Sequence, residues 1–216
     1  AAYREKALGR DAYIAKVRSD ALNVLIDDTI TRRRHGLYNL RAGDVNSLFD
    51  NSSVTYSKGG AVLHMLREQV GIEAFWKGVN IYLNRHKFSS VESTDLKRAM
   101  EEASGQDLKW FFDQWVYGAS LPRISVTKVY NSRTKTLRLT FSQTQKADTI
   151  VPAVFRLPLE VAITTASGVK TEKLNITQRL QTSTIPVDSK PREIVFDPAE
   201  KIIVKSLKQG SMTTVR

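Results

Sequence analysis

The stretch Asp107-Leu108-Lys109-Trp110-Phe111-Phe112-Asp113-Gln114-Trp115-Val116-Tyr117-Gly118-Ala119-Ser120-Leu121-Pro122-Arg123-Ile124-Ser125-Val126 contains the change of period that divides this chain. Up to Tyr117 the apolar positions Leu108, Phe111, Phe112 and Trp115 recur at offsets of three and four, which a 3.6-residue helix gathers on one face. Gly118 supplies a stop, and Pro122 discourages any continuation. From Ile124 onward apolar and polar residues alternate, as on a half-buried strand. The stretch therefore predicts an α+β chain of two domains, a helical one over residues 1–120 and an all-β one from 121.

Upstream, the helical period recurs three times. Residues 61–70 place Val62, Met65, Leu66 and Val70 on one stripe before Gly71. Glu73 to His86 repeats the device with Phe75, Val79, Tyr82 and Leu83. Thr94-Asp95 reads as the cap of a helix carrying Leu96, Ala99, Met100 and Ala103, stopped by Gly105. Between Asp27 and Asn51 the period is lost, and Arg32-Arg33-Arg34-His35-Gly36 interrupts any apolar face, so this segment reads as a loop or linker.

Downstream, period-two segments fall at Ile124/Val126, Leu137/Leu139/Phe141, Leu157/Leu159/Val161/Ile163, Leu174/Ile176, Ile185/Val187, Ile194/Phe196 and Ile202/Val204. About seven short strands with turn signals between them, such as Ala166-Ser167-Gly168 and Asp197-Pro198, predict an immunoglobulin-like two-sheet sandwich over residues 121–208. Residues 209–216 read as a frayed tail.

The whole chain has 216 residues, 41% of them hydrophobic, a share that excludes a disordered polymer and supplies a packed core. It has no cysteine, which removes disulfides, thiolate nucleophiles and Cys-type metal sites. No run approaches the roughly 20 apolar residues of a membrane span, so no transmembrane segment is expected, and the compartment stays open between cytoplasm and export. His35, His64 and His86 are too far apart in sequence for a His-x-x-x-His pair, and Gly59-Gly60 lacks the further glycines of a phosphate loop. His64, between Leu63 and Met65 inside a helix, reads as a structural histidine.

Charge is uneven. Residues 1–120 hold seventeen Lys and Arg against fifteen Asp and Glu, a net +2, whereas residues 121–216 hold sixteen against seven, a net +9. Cations such as Lys135, Arg138, Lys170, Lys173 and Arg179 fall at outward strand positions, as on a solvated face. Binding of nucleic acid would need them clustered with exposed aromatics, and of Tyr130, Phe141, Phe155 and Phe196 the last three point inward by the alternation. No nucleic-acid partner is expected.

The run Val54-Thr55-Tyr56-Ser57-Lys58-Gly59-Gly60-Ala61-Val62-Leu63-His64-Met65-Leu66-Arg67, with Gly71-Ile72-Glu73-Ala74-Phe75 after it, resembles a segment of the aminopeptidase N (membrane alanyl aminopeptidase) family of gluzincin zinc metallopeptidases. The resemblance continues in order and spacing through Tyr82-Leu83-Asn84-Arg85-His86-Lys87-Phe88, Thr94-Asp95-Leu96-Lys97, Glu101-Glu102-Ala103-Ser104-Gly105-Gln106-Asp107-Leu108 and Phe111-Phe112-Asp113-Gln114-Trp115-Val116. It implies that the helical domain is the distal part of a thermolysin-like catalytic domain.

In that family the tyrosine of the Tyr-x-Lys-Gly motif lies in the active site, which implies a catalytic role for Tyr56: its phenol would donate a hydrogen bond to the oxyanion of the tetrahedral intermediate. Lys58 and Gly59 are expected to shape the entry into the next helix. Without the resemblance, Tyr56 reads as a structural, half-buried tyrosine with a wetted tip. The family holds zinc through His-Glu-x-x-His and a later Glu, and these ligands are absent here. The resemblance thus implies a C-terminal portion of a zinc aminopeptidase acting on peptides, with zinc in the full-length protein, none expected in this chain, and no activity of this chain alone. The alternatives are a noncatalytic scaffold, derived from the same fold, that binds peptides or proteins, and, ranked below it, a basic nucleic-acid-binding domain.

Overall fold

The computed structural model describes residues 2–30, 35–39, 42–44, 46–48, 52–204 and 206–215. They form two compact units, one of Ala1–Ser120 with Thr149–Val151, the other of Leu121–Asp148 with Pro152–Arg216. The three residues Thr149–Val151 join the first unit because Ala119 N–H donates to the Ile150 carbonyl at 2.7 Å, a pairing no local pattern announces.

The first unit is helical: α1 (Ala2–Leu8), α2 (Arg10–Ile30), a 3₁₀ turn (Asn46–Leu48), a first π-turn (Ser53–Lys58), α3 (Gly59–Val70), α4 (Ile72–His86), α5 (Ser93–Ser104), α6 (Lys109–Phe112) and a second π-turn (Asp113–Tyr117). Helix α2 carries the helical pattern past Asp27 to Ile30, beyond the expected start of the loop. The Arg32-Arg33-Arg34 cluster and Asn51 lie outside the described residues.

The stripe expected on α3 is the buried one: Val62, Met65, Leu66 and Val70 are all buried. Helix α3 ends at Gly71, whose φ of 87° suits glycine. On α4 the buried positions are Phe75 and Gly78, while Leu83 is exposed, one residue round the helix from the half-buried Tyr82. Gly78 is required there because a Cβ would lie 2.6 Å from Met100 Sδ and 3.3 Å from the Ala99 carbonyl oxygen, so α4 and α5 touch backbone to backbone.

The cap of α5 differs from expectation. Glu92, not Thr94, is the capping residue, and Asp95 reaches back to the Glu92 N–H at 2.9 Å in a capping box. Leu108, Phe111, Phe112 and Trp115 are buried as their spacing predicts, each contributing roughly 1.5–3 kcal/mol. Their helix is shorter than the sequence suggests, giving way to the second π-turn after Phe112.

Among the described residues the second unit holds seven strands: β1 (Arg123–Asn131), β2 (Thr136–Gln143), β3 (Leu157–Thr165), β4 (Gly168–Ile176), β5 (Leu180–Pro186), β6 (Glu193–Phe196) and β7 (Ser206–Val215). One sheet has the order β5-β2-β1-β7 and the other β4-β3-β6. All pairings are antiparallel except β1 with β7. Alternate residues of both sheets meet in one core that includes Val126, Leu137, Leu139, Phe141, Leu159 and Val161. Phe141 of one sheet and Phe196 of the other stack edge to face with centroids 5.9 Å apart. Inside this core Gln143 is 1% exposed, its Nε2 donating to the Phe155 carbonyl at 2.7 Å and its Oε1 accepting the Phe155 N–H at 2.8 Å.

Two sequence expectations fail in this unit. Ile202/Val204 is not a strand: the Asp197 carboxylate accepts the N–H groups of Lys201 and Ile202, both at 2.9 Å, and folds the segment into a loop. The supposed frayed tail is strand β7, paired in parallel with β1 from Arg123↔Ser206 to Asn131↔Val215 with a register shift between Val126 and Lys128. Pairing with a strand remote in sequence supplies the order that its polar composition does not.

Candidate functional site

The candidate residue Tyr56 sits on the first π-turn. Val54 and Lys58 are buried there, while Tyr56 faces the other way with 64% of its surface exposed. The turn runs without interruption into α3, and Gly59 N–H donates to the Tyr56 carbonyl. Short π-helical insertions of this kind occur frequently at functional sites. Beside the tyrosine lies a cavity of about 380 Å³, walled mainly by apolar side chains that include Leu37, Val62, Leu63, Leu96 and Phe112, with Tyr56 and Gly59 on its lining. The phenol is thus accessible next to an apolar hollow large enough for a small ligand or side chain.

Lys58 is buried more deeply than its residue type leads one to expect, at 2% exposure. Its Nζ donates to the Gly118 carbonyl at 2.9 Å. Burial pushes its pKa down to about 8, against the opposing pull of the Asp28 carboxylate. Sequence reasoning placed Lys58 at the entry to α3, which is where it lies, but gave no sign of its enclosure.

The histidines do not converge on a site. His64 is buried, and its Nδ1 shares a 2.8 Å hydrogen bond with the Tyr13 hydroxyl. The Tyr13 ring in turn has the guanidinium carbons of Arg10 and Arg67 each 5.0 Å from its centroid. Glu5 joins the cluster, accepting from Arg67 at 2.5 Å and from Arg10 at 3.0 Å, and Arg67 foremost holds its carboxyl below the ordinary range. This assembly fastens α1 and α2 to α3. His35 Nδ1 bonds the neighbouring Gly36 carbonyl at 2.7 Å, and the His86 ring packs beside Tyr82. Among the described residues no group of three His, Cys, Asp or Glu side chains could hold a metal ion, so they do not fit the zinc site that the resemblance implies.

A profile of the peptidase family M1 domain matches residues 5–115, more than half of the chain and the whole span from α2 through the first π-turn to α6. The chain belongs to peptidase family M1. Among curated relatives, this M1 chain is 40% identical over 86 residues to aminopeptidase N of Lactococcus lactis subsp. lactis, covering 40% of the chain and 10% of that protein. It is 30% identical over 161 residues to the tricorn protease-interacting factor F2 of Thermoplasma acidophilum, covering 74% of the chain and 20% of that protein.

Among solved structures, aminopeptidase A of Legionella pneumophila in complex with aspartic acid superposes with a TM-score of 0.69 at 18% identity, over 97% of the chain and 23% of that structure. That likeness is one of fold. The M1 chain therefore spans between a tenth and a quarter of the length of these proteins.

Proposed function

We propose that this chain is a portion of a zinc aminopeptidase that removes N-terminal residues from peptides, and that Tyr56 stabilises the oxyanion formed at the scissile carbonyl. The helical unit is then the distal part of a thermolysin-like catalytic domain and the β unit an immunoglobulin-like sandwich. The observation that carries the reading is the exposure of Tyr56 at the rim of an apolar cavity within an M1 sequence match. Had the ring been packed among apolar neighbours, the role would have been untenable.

The chemistry suits a phenol. The phenol O–H is a neutral hydrogen-bond donor. It therefore donates a hydrogen bond that strengthens as the carbonyl oxygen acquires charge. Since the described residues do not fit a zinc site, activation of the attacking water is assigned to none of them. The chain by itself is expected to be inert.

The test is Tyr56→Phe in the full-length protein, assayed on an aminoacyl anilide. Turnover should fall by about 10²–10³ with little change in KM. An unchanged kcat would remove Tyr56 from the mechanism, and absence of any peptidase activity in the full-length protein would favour the noncatalytic scaffold.

A further inference from the structure

Two residues beyond Tyr56, the buried Lys58 ammonium meets the carbonyl of Gly118 at 2.9 Å. Gly118 closes the second π-turn, its own N–H donating to the Asp113 carbonyl at 2.9 Å. That turn is a firm anchorage. Tyr38 N–H donates to the Val116 carbonyl at 3.2 Å, and a methyl group on Gly36 would fall 2.4 Å from the Tyr117 carbonyl oxygen, so the segment around Gly36 lies directly against it. Trp115 and Val116 of the same turn are buried.

Lys58 thus links the π-turn that bears Tyr56 to the second one across 60 residues of sequence. Tyr56, 64% exposed, stands on the backbone turn that this link holds. A dehydrated ammonium is an expensive way to fill a core, where an apolar side chain of similar volume is often at least as stable. Its presence on the turn that bears Tyr56 calls for a role beyond packing.

We infer that Lys58 is a positioning residue for Tyr56: by tying the first π-turn to the Gly118 carbonyl, its ammonium fixes the direction in which the phenol points. The inference rests on the oxyanion role given to Tyr56 above. The charge that sustains the ammonium comes from Asp28 on α2, and the second π-turn meets it with a backbone carbonyl.

The experiment compares four forms of the full-length, metal-loaded protein: wild type, Lys58→Met, Tyr56→Phe and the double variant. Lys58→Met should lower kcat by about tenfold or more with KM held within about twofold, the cost of misaiming a group without losing it. In the Tyr56→Phe background the same change should cost nothing further, because a tether has no effect once its cargo is gone. Lys58→Arg, which keeps the cation, should recover part of the loss.

A Lys58→Met effect that multiplies with that of Tyr56→Phe, or no effect while Tyr56→Phe is slow, overturns the tether and leaves the oxyanion role standing. A fully active Tyr56→Phe overturns that role first and the tether with it. Should Lys58→Met not fold, the wild type carries the test. The ring ¹³C resonance of Tyr56, assigned through Tyr56→Phe, should move as rising pH deprotonates Lys58, and a resonance that stays put while the Lys58 side chain itself is seen to titrate refutes the proposal.

Discussion

Lys58 makes stability depend on alkaline pH in a way that can be worked through. In the folded chain its ammonium gives up a proton at about 8, against 10.5 ordinarily. Below pH 8 both folded and unfolded chains are protonated, and the full cost of burying the charge weighs on the fold. Between the two values the unfolded chain binds more protons than the folded one, so stability rises with pH until both are neutral. The full span is worth about 3 kcal/mol, and from pH ~7 to ~9.5 the gain is about 2 kcal/mol.

Urea unfolding of wild type and Lys58→Met at those two pH values isolates this contribution, since every other titrating group is common to both. All three tryptophans, Trp76, Trp110 and Trp115, lie in the helical unit, so their fluorescence reports that unit alone. Wild type should gain about 2 kcal/mol on Lys58→Met between the two conditions. A gap that stays constant within about 0.5 kcal/mol would mean that the ammonium remains hydrated, and the account of its burial would be wrong.

Gln143→Ala should destabilise the β unit by about 3 kcal/mol, because it strands both the N–H and the carbonyl of Phe155 in the core; a thermal melt followed by circular dichroism measures it, and a loss below about 0.5 kcal/mol would show that the two groups find other partners. Gly78→Ala and Gly59→Ala should move in opposite directions on urea unfolding read by tryptophan fluorescence. The first drives a methyl into Met100 and the α5 backbone and should cost about 1–3 kcal/mol. The second meets only Leu37 Cδ2 at 3.8 Å and should gain up to about 1 kcal/mol of helix propensity. Equal effects would contradict the close approach of α4 to α5.

Where the sequence was readable, local periodicity and local packing agreed. Val62, Met65, Leu66 and Val70 declared the buried face of α3, and the alternation of Leu157, Leu159, Val161 and Ile163 declared β3, because in each case the core lies on one side only. Leu83 shows the limit of that reasoning: the stripe on α4 is narrower than its apolar residues suggest, since α5 approaches at Gly78. Strand β7 was illegible because Lys208, Gln209, Gly210 and Ser211 carry no alternation, and its order comes from β1. Tyr130 is buried with the phenylalanines of the β unit, opposite Leu137.

At the candidate site, the resemblance pointed to Tyr56, whose exposure by the cavity suits the role proposed for it. The burial of Lys58 left no trace in the sequence. Lysine is ordinarily a surface residue, and its partner is a backbone atom of Gly118.

The parallel pairing of β1 with β7 also has a bearing on biosynthesis. As the polypeptide emerges from the ribosome, β1 and β2 can join at once, but the opposite edge of β1 stays bare until everything from Ser132 to Lys205 has been translated. At ordinary elongation rates that interval is on the order of ten seconds. A naked edge is an invitation to the wrong partner. Nascent chains stalled or cleaved before Ser206 should therefore be the aggregation-prone species during expression, and holding by chaperones should matter most in that window.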